Sequence, residues 1–216
     1  MSTFPGSPRL VKGGLVLVDP STSAVLRVIA LQYNPDTLTR SLQIQAVGGE
    51  SAGRAEPLRL KGPPVETIKL DAEIDATDQQ ERGEPTAAEV GIHPQLAALE
   101  TIAYPTTAQL QATNALAQRG TLEVAPMEAP LTLFVWSKNR VVPVRITDFS
   151  ITEEAFDPAL NPIRAKVSLG LRVLSVQDLG FGEPGGSLYL AYQQQKERLA
   201  ARVPAGTLGA LGIGGI

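Results

Sequence analysis

Two long stretches of this chain alternate strictly between apolar and polar residues, and that period of two leaves little choice of fold. From Glu66 to Ala76, Ile68, Leu70, Ala72 and Ile74 point one way, while Thr67, Lys69, Asp71, Glu73 and Asp75 point the other. From Arg164 to Val176, Val167, Leu169, Leu171 and Val173 alternate with Lys166, Ser168, Gly170 and Arg172. Strands with one dry and one wet face belong in antiparallel sheets packed on a single side. Shorter apolar runs, bounded by turn residues, supply the rest. Leu15–Val18 and Ala24–Tyr33 flank Asp19-Pro20-Ser21-Thr22-Ser23 and read as a hairpin. Asn34-Pro35-Asp36 is a turn that Asn34 initiates by bonding its own backbone, and Thr37–Val47 is a further strand.

Gly48–Pro64 reads as a long loop or irregular hairpin tip, and Asp78–Gly91 as polar loop. Leu131–Trp136, the tip Ser137–Arg140, Val141–Thr147, Phe149–Phe156 and the strand from Arg164 make the last third β again. Pro143 implies an edge or bulge position. Two helices interrupt the pattern. One runs near 94–103, opened by Pro94 and stopped at Tyr104-Pro105, with Leu96, Leu99 and Ile102 as its stripe. The other runs from Ser187 as N-cap to Arg202, after the breaker Gly180–Gly186. Thr106–Gln118 is equally compatible with helix and loop. The expected fold is mainly β with two helices, an antiparallel barrel or sandwich of seven or eight strands. Residues 1–14 form an N-terminal arm, 15–180 the β domain, and 181–216 a C-terminal helix and Gly-rich tail that frays or docks on a partner. Tyr33-Asn34-Pro35 and Phe156-Asp157-Pro158 are similar junctions and hint at an internal repeat.

Composition removes whole classes of chemistry. With no Cys there is no thiolate nucleophile and no Cys-ligated metal, and the single His93 cannot build a multi-histidine site. A net charge of −3 argues against bulk nucleic-acid or polybasic membrane binding. No secretory leader and no stretch long enough to span a bilayer is read in the sequence. The small net charge hides polarity: residues 1–62 carry +3, 63–130 carry −8 and 131–216 carry +2. Unlike faces on one body favour head-to-tail association.

Asp71, Glu73 and Asp75 share one strand face, a pattern open to three readings: a solvated or inter-subunit acidic face, a metal site, or carboxylate catalysis. A calcium loop fails, because Ala76 stands where a glycine is required and Arg82 where the bidentate glutamate belongs. No nucleophile elbow accompanies His93, and neither Gly-rich stretch matches a phosphate loop. No cofactor is expected. Trp136 reads as a core or interface anchor.

Three features occur in order: Leu31-Gln32-Tyr33-Asn34-Pro35-Asp36-Thr37-Leu38; Ala129-Pro130-Leu131-Thr132-Leu133-Phe134-Val135-Trp136 before a hairpin; and Phe156, a loop, then Pro162-Ile163-Arg164-Ala165-Lys166-Val167-Ser168-Leu169. Together they resemble the tube-related baseplate proteins of contractile injection systems, phage-tail-like particles, and within them the tube initiator or tube–baseplate adaptor. The resemblance spans roughly residues 15–180. This chain has Ser137 and Asn161 where the family usually has glycine; Asn161 tolerates the left-handed region that glycine serves. About 40 residues follow Ser175, too few for the family's LysM module. The resemblance implies a barrel of the phage tail-tube type in a homo-hexameric ring, with strands such as 164–176 pairing across subunits. The inner tube protein would lie above, the spike or hub below, and other baseplate or sheath proteins around it. It also implies cytoplasmic assembly into a particle that is retained or released. Trp136, Arg164, Asp71, Glu73 and Asp75 are the candidate interface residues, Arg164 pairing a carboxylate of the acidic segment. An inner tube subunit proper is the related alternative, and a carboxylate-dependent hydrolase the alternative of another class.

Overall fold

The computed structural model describes residues 10–46, 59–119 and 129–214. Its centre is one seven-stranded sheet, antiparallel throughout: β1 (Gly14–Val18), β2 (Val25–Ala30), β3 (Leu38–Gln43), β4 (Val65–Asp75), β5 (Leu131–Val135), β6 (Val141–Phe156) and β7 (Pro162–Val173), in the order β2-β1-β5-β6-β7-β4-β3. The two alternating stretches lie side by side as β4 and β7, with Asp71 opposite Ser168, Glu73 opposite Lys166 and Asp75 opposite Arg164. Their apolar residues, from Ile68 to Ile74 and from Ala165 to Val173, are buried in one core. The mainly β antiparallel fold is therefore the one the alternation predicts.

Helices occupy the intervals: α1 (Thr77–Glu81), α2 (Pro85–Val90), α3 (His93–Ala103), α4 (Thr107–Gln118), α5 (Val176–Leu179) and α6 (Pro184–Ala200). α3 contributes Leu96, Leu99 and Ile102 to the main core, and α6 contributes Tyr189 and Tyr192. β1 and β5 are apolar on both faces. Leu15 and Phe134 enter the main core, while Val18, Leu131 and Leu133 form a smaller cluster covered by Leu174, Leu179 and Leu188. No helix among the described residues is long and apolar enough to cross a membrane.

Several local expectations need correction. Asp78–Gly91 is not polar loop; it holds most of α1 and all of α2, the latter opened by Pro85 in its first turn and burying Ala87. Thr106–Gln118 is helical because Thr106 and Gln109 form a reciprocal capping box, a Thr-x-x-Gln signal that composition alone does not weigh. Ser187 is no N-cap. α6 begins three residues earlier, at Pro184 after Glu183, and takes Gly185 and Gly186 into its first turn. These glycines are packing residues. A Cβ on Gly186 would collide with the carbonyl oxygen of Gly180, and one on Gly185 would stand 2.7 Å from Leu179 Cδ1.

Pro143 sits on neither an edge nor a bulge, because β6 runs between β5 and β7. Its carbonyl accepts from Leu174 N–H, so its nitrogen also faces β7, at the point where β7 has ended and a donor is dispensable. The tip of the β3–β4 hairpin lies outside the described residues; the ladder reaches toward it through an Ala46–Leu60 bridge.

The two aromatic-Asx-Pro junctions do different work, which removes the basis for an internal repeat. Asp157 holds its own loop, accepting from Ala159 N–H and Asn161 N–H at 2.8 Å each. Asn34 reaches away instead. It accepts from Gly13 N–H at 2.8 Å and donates to the Val11 carbonyl at 2.9 Å, standing in for a strand partner rather than bonding its own turn. In the Asp157 loop the left-handed residue is Leu160 (φ 64), not Asn161, whose amide donates to Asp157 and to the Glu89 carbonyl. The other departure from glycine, Ser137, does take φ 66. Leu160 is 78% exposed, so Leu160→Gly loses no burial. Relief of left-handed strain, about 1–2 kcal/mol, outweighs the added freedom of the unfolded glycine. The expected net gain is about 1 kcal/mol, a rise in Tm of roughly 2–4 °C, measurable by differential scanning calorimetry.

Candidate subunit interface

The wet face of the sheet is built by the residues that the period of two sends away from the core. Carboxylates of β4 and β6 meet cations and a hydroxyl of β7 at cross-strand distances, so part of this charge is balanced within the chain. Arg164 Nε donates to Asp75 Oδ2 at 2.7 Å, Lys166 Nζ lies 2.9 Å from Glu154 Oε1, and Ser168 Oγ donates to Asp71 Oδ1 at 2.5 Å. Partial burial would raise the Asp75 carboxyl. Hydrogen bonds from Thr77 and the Arg164 guanidinium outweigh it and hold the group below the usual carboxylate range. Asp71 and Glu73 border a polar depression of about 730 Å³ with Asp36, Lys166 and Ser168. The compensation at Asp75 keeps that carboxylate charged, which suits an electrostatic surface better than a general acid. Among the described residues, no group of three or more His, Cys, Asp or Glu side chains is placed to hold a metal ion. His93 is exposed at the first position of α3.

Trp136 directly follows β5. Its ring stacks on Phe134 with centroids 5.9 Å apart, and Gly13 passes so close that a Cβ there would enter the indole. It is half-buried and packs against the main core, so its present contacts are those of packing. The structure thus brings Asp71, Glu73, Asp75 and Arg164 onto one face and leaves Trp136 with the β1–β5 strands.

The strand 164–176 cannot pair across subunits as expected, because β7 is flanked on both sides by β6 and β4. Among the described residues the edge strands are β2 and β3, at the two ends of the order. β2 exposes Val25, Leu26 and Val28, and the segment from β3 to its turn exposes Leu42 and Ile44. Two apolar edges on one sheet are an invitation to strand pairing with another chain. Beside β2, a groove of about 400 Å³ is floored by α3 and flanked by β4, which beyond Leu70 is paired only to β7. Gln32 spans one end of it: its Nε2 donates to the Asp75 carbonyl at 2.6 Å and its Oε1 accepts from Asp75 N–H at 3.0 Å. The sheet curls until β2 and β4 nearly meet, and a side-chain amide closes the last step.

Sequence reasoning missed one cluster. Glu66 is 3% exposed; its Oε1 lies 2.6 Å from an Arg40 nitrogen and accepts from the Tyr192 hydroxyl at 3.1 Å, and Lys196 Nζ stands 3.5 Å from Oε2 and 4.2 Å from the Tyr192 ring centre. Burial, with the Glu66 charge adding to it, pushes the Tyr192 hydroxyl up to about 12. The signal was present: Glu66 shares its parity with Ile68 and Leu70, so the alternation itself sends this carboxylate inward. It ties β3, β4 and α6 together.

No family model matches the chain, and no curated protein does. Among solved structures, a chain from the tail of an empty gene transfer agent particle, refined with C6 symmetry, is similar over 75% of this chain and 90% of its own, at 13% identity and a TM-score of 0.31. A chain of the virion of a native gene transfer agent particle is similar over 74% and 90%, at 12% identity and a TM-score of 0.30. Similarity this slight carries no functional inference.

Proposed function

We propose that the chain is a non-enzymatic structural part of a contractile injection system or phage-like tail, a baseplate component that adapts or nucleates the inner tube on the spike hub. The observation that carries this reading is the ordered series of three motifs, from Leu31 through Trp136 to Leu169. Their positions support it. Gln32 and Asn34 of the first motif join the curled sheet to β4 and to the segment before β1. Trp136 of the second seals against Gly13. Arg164 of the third begins the ion-paired face. Six copies in a ring would satisfy the free β2 and β3 edges and oppose unlike charges. The ring would present a template edge that tube subunits extend, with the hub beneath.

Deleting the gene is expected to abolish full-length sheathed particles, and normal particles in its absence would overturn the reading. Quantitative mass spectrometry of particles separates adaptor from inner tube subunit: one ring per particle against many stacked rings. Arg164→Glu would place a fourth carboxylate beside Asp75, Glu73 and Glu154 while touching nothing in the core. The purified variant is expected to keep its circular dichroism spectrum and fail to assemble; normal assembly would remove Arg164 from the interface. Loss of hydrolysis on a glycan panel with alanine at Asp71, Glu73 or Asp75 would instead support the hydrolase.

A further inference from the structure

We propose that the groove between β2 and β4 receives the C-terminal segment of a second copy, so that neighbouring molecules are linked by exchanged arms. The inference does not depend on the tube reading, since arm exchange serves any self-assembly of this chain.

The groove has the features of an unfilled strand position. Among the described residues β2 pairs with β1 alone and β4 from Asp71 to Ile74 pairs with β7 alone, while the Asp75 backbone is taken up by Gln32, so each strand turns one unladdered side toward the space between them. Its walls are mostly apolar, including Val28, Ala30, Ile74, Ala98 and Leu99. Among the described residues Gln95, on its floor, has a buried Oε1 with no hydrogen-bond partner. A buried acceptor without a donor costs roughly 1–3 kcal/mol, and rotation of the Gln95 amide toward an incoming backbone N–H would remove that cost. A cavity of about 150 Å³ holds a benzene ring, so 400 Å³ is room for two or three aliphatic side chains.

The occupant must therefore be apolar, nearly uncharged and rich in accessible backbone N–H groups. The segment after α6 meets each condition. Residues 201–214 are exposed throughout, with Val203 and Leu211 more than two-thirds exposed and Leu208 and Ile213 about two-fifths exposed. No charged residue follows Arg202. The segment carries local order, with Thr207 capping a 3₁₀ turn at Leu208–Leu211 and Gly212 ending it in the left-handed region. Leu211-Gly212-Ile213-Gly214 alternates aliphatic side chains with bare backbone, suited to a slot with one roomy side. Glu73 and Arg27 on the groove rim balance one another, so a neutral segment enters without an unpaired charge.

The chain has no cysteine, which makes cross-linking clean. Full-length Ala30→Cys, in the groove wall, is mixed with mass-tagged full-length Ile213→Cys and oxidised. A disulfide-linked mixed dimer is expected. It should fall to background when Ala98→Phe fills the groove of the first copy, or when Leu211→Asp is added to the arm of the second. Leu211 is exposed, so that second variant leaves the fold untouched, as circular dichroism will verify. Mixed dimer no more abundant than with Thr39→Cys on the opposite edge strand would overturn the proposal. So would cross-linking found only within one molecule of the Ala30→Cys, Ile213→Cys double variant. The readout is on purified protein, so it is independent of whether particles form.

Discussion

Glu66→Ala is expected to destabilise the protein by about 3 kcal/mol, because it strips the shared partner from a cluster that is largely removed from water. Arg40, at 28% side-chain exposure, and Lys196, at 33%, would face each other across the hole, and the Tyr192 hydroxyl would lose its acceptor. For a chain of this length that is a fall in Tm of roughly 6–12 °C, read by calorimetry or thermal circular dichroism. Glu66→Gln keeps an acceptor without the charge and should fall between. The double variant Arg40→Met, Glu66→Leu should recover much of the loss, since removing a whole buried pair costs far less than breaking it. A single Glu66→Ala variant as stable as the parent would mean that α6 is held by Tyr189 and Leu188 packing alone.

Gly186→Ala is expected to be at least as damaging, roughly 3 kcal/mol, and its neighbour nearly silent. At Gly186 the new methyl meets the Gly180 carbonyl, which is backbone and cannot rotate away, so the turn between α5 and α6 must open. At Gly185 the methyl meets Leu179 Cδ1 and, at 3.2 Å, Leu131 Cδ2, both ends of side chains. There the gain in helix propensity, about 1 kcal/mol, offsets the crowding. Equal losses at the two sites would show that the α5–α6 contact is not the backbone approach described above.

How legible this protein is in its sequence depends on the range of the interaction. Residues 68–74 and 165–173 declare their strands and their buried face because parity is a local property, preserved whatever lies beyond. The same parity marks Glu66 as inward-pointing, although nothing nearby in sequence announces Arg40 or Tyr192 as its partners. The capping box of Thr106 and Gln109 is equally local, lying within one turn, yet helix-forming composition alone left that segment open between helix and loop. Asn34 and Gly186 were not readable, because each answers to backbone far from its own turn or to a clash that exists only once two helices are docked. Of the candidate interface residues, Asp75 and Arg164 pair as opposite charges, where the expected pair supported a subunit junction. They do so within one chain, because β4 and β7 are neighbours in register.

The alternation that constrains the chain most strongly thus determined by itself an antiparallel sheet with one dry and one charged face. Side-chain direction along a strand needs no information beyond the strand. Which strands lie inside and which are left as edges was decided only in three dimensions. Strand order depends on how connections cross and on which apolar faces meet, and no residue of β2 or β7 encodes its position in that order. That is why the most regular strand, β7, proved to be central and committed, while the short apolar β2 lies at an edge of the described sheet beside a groove.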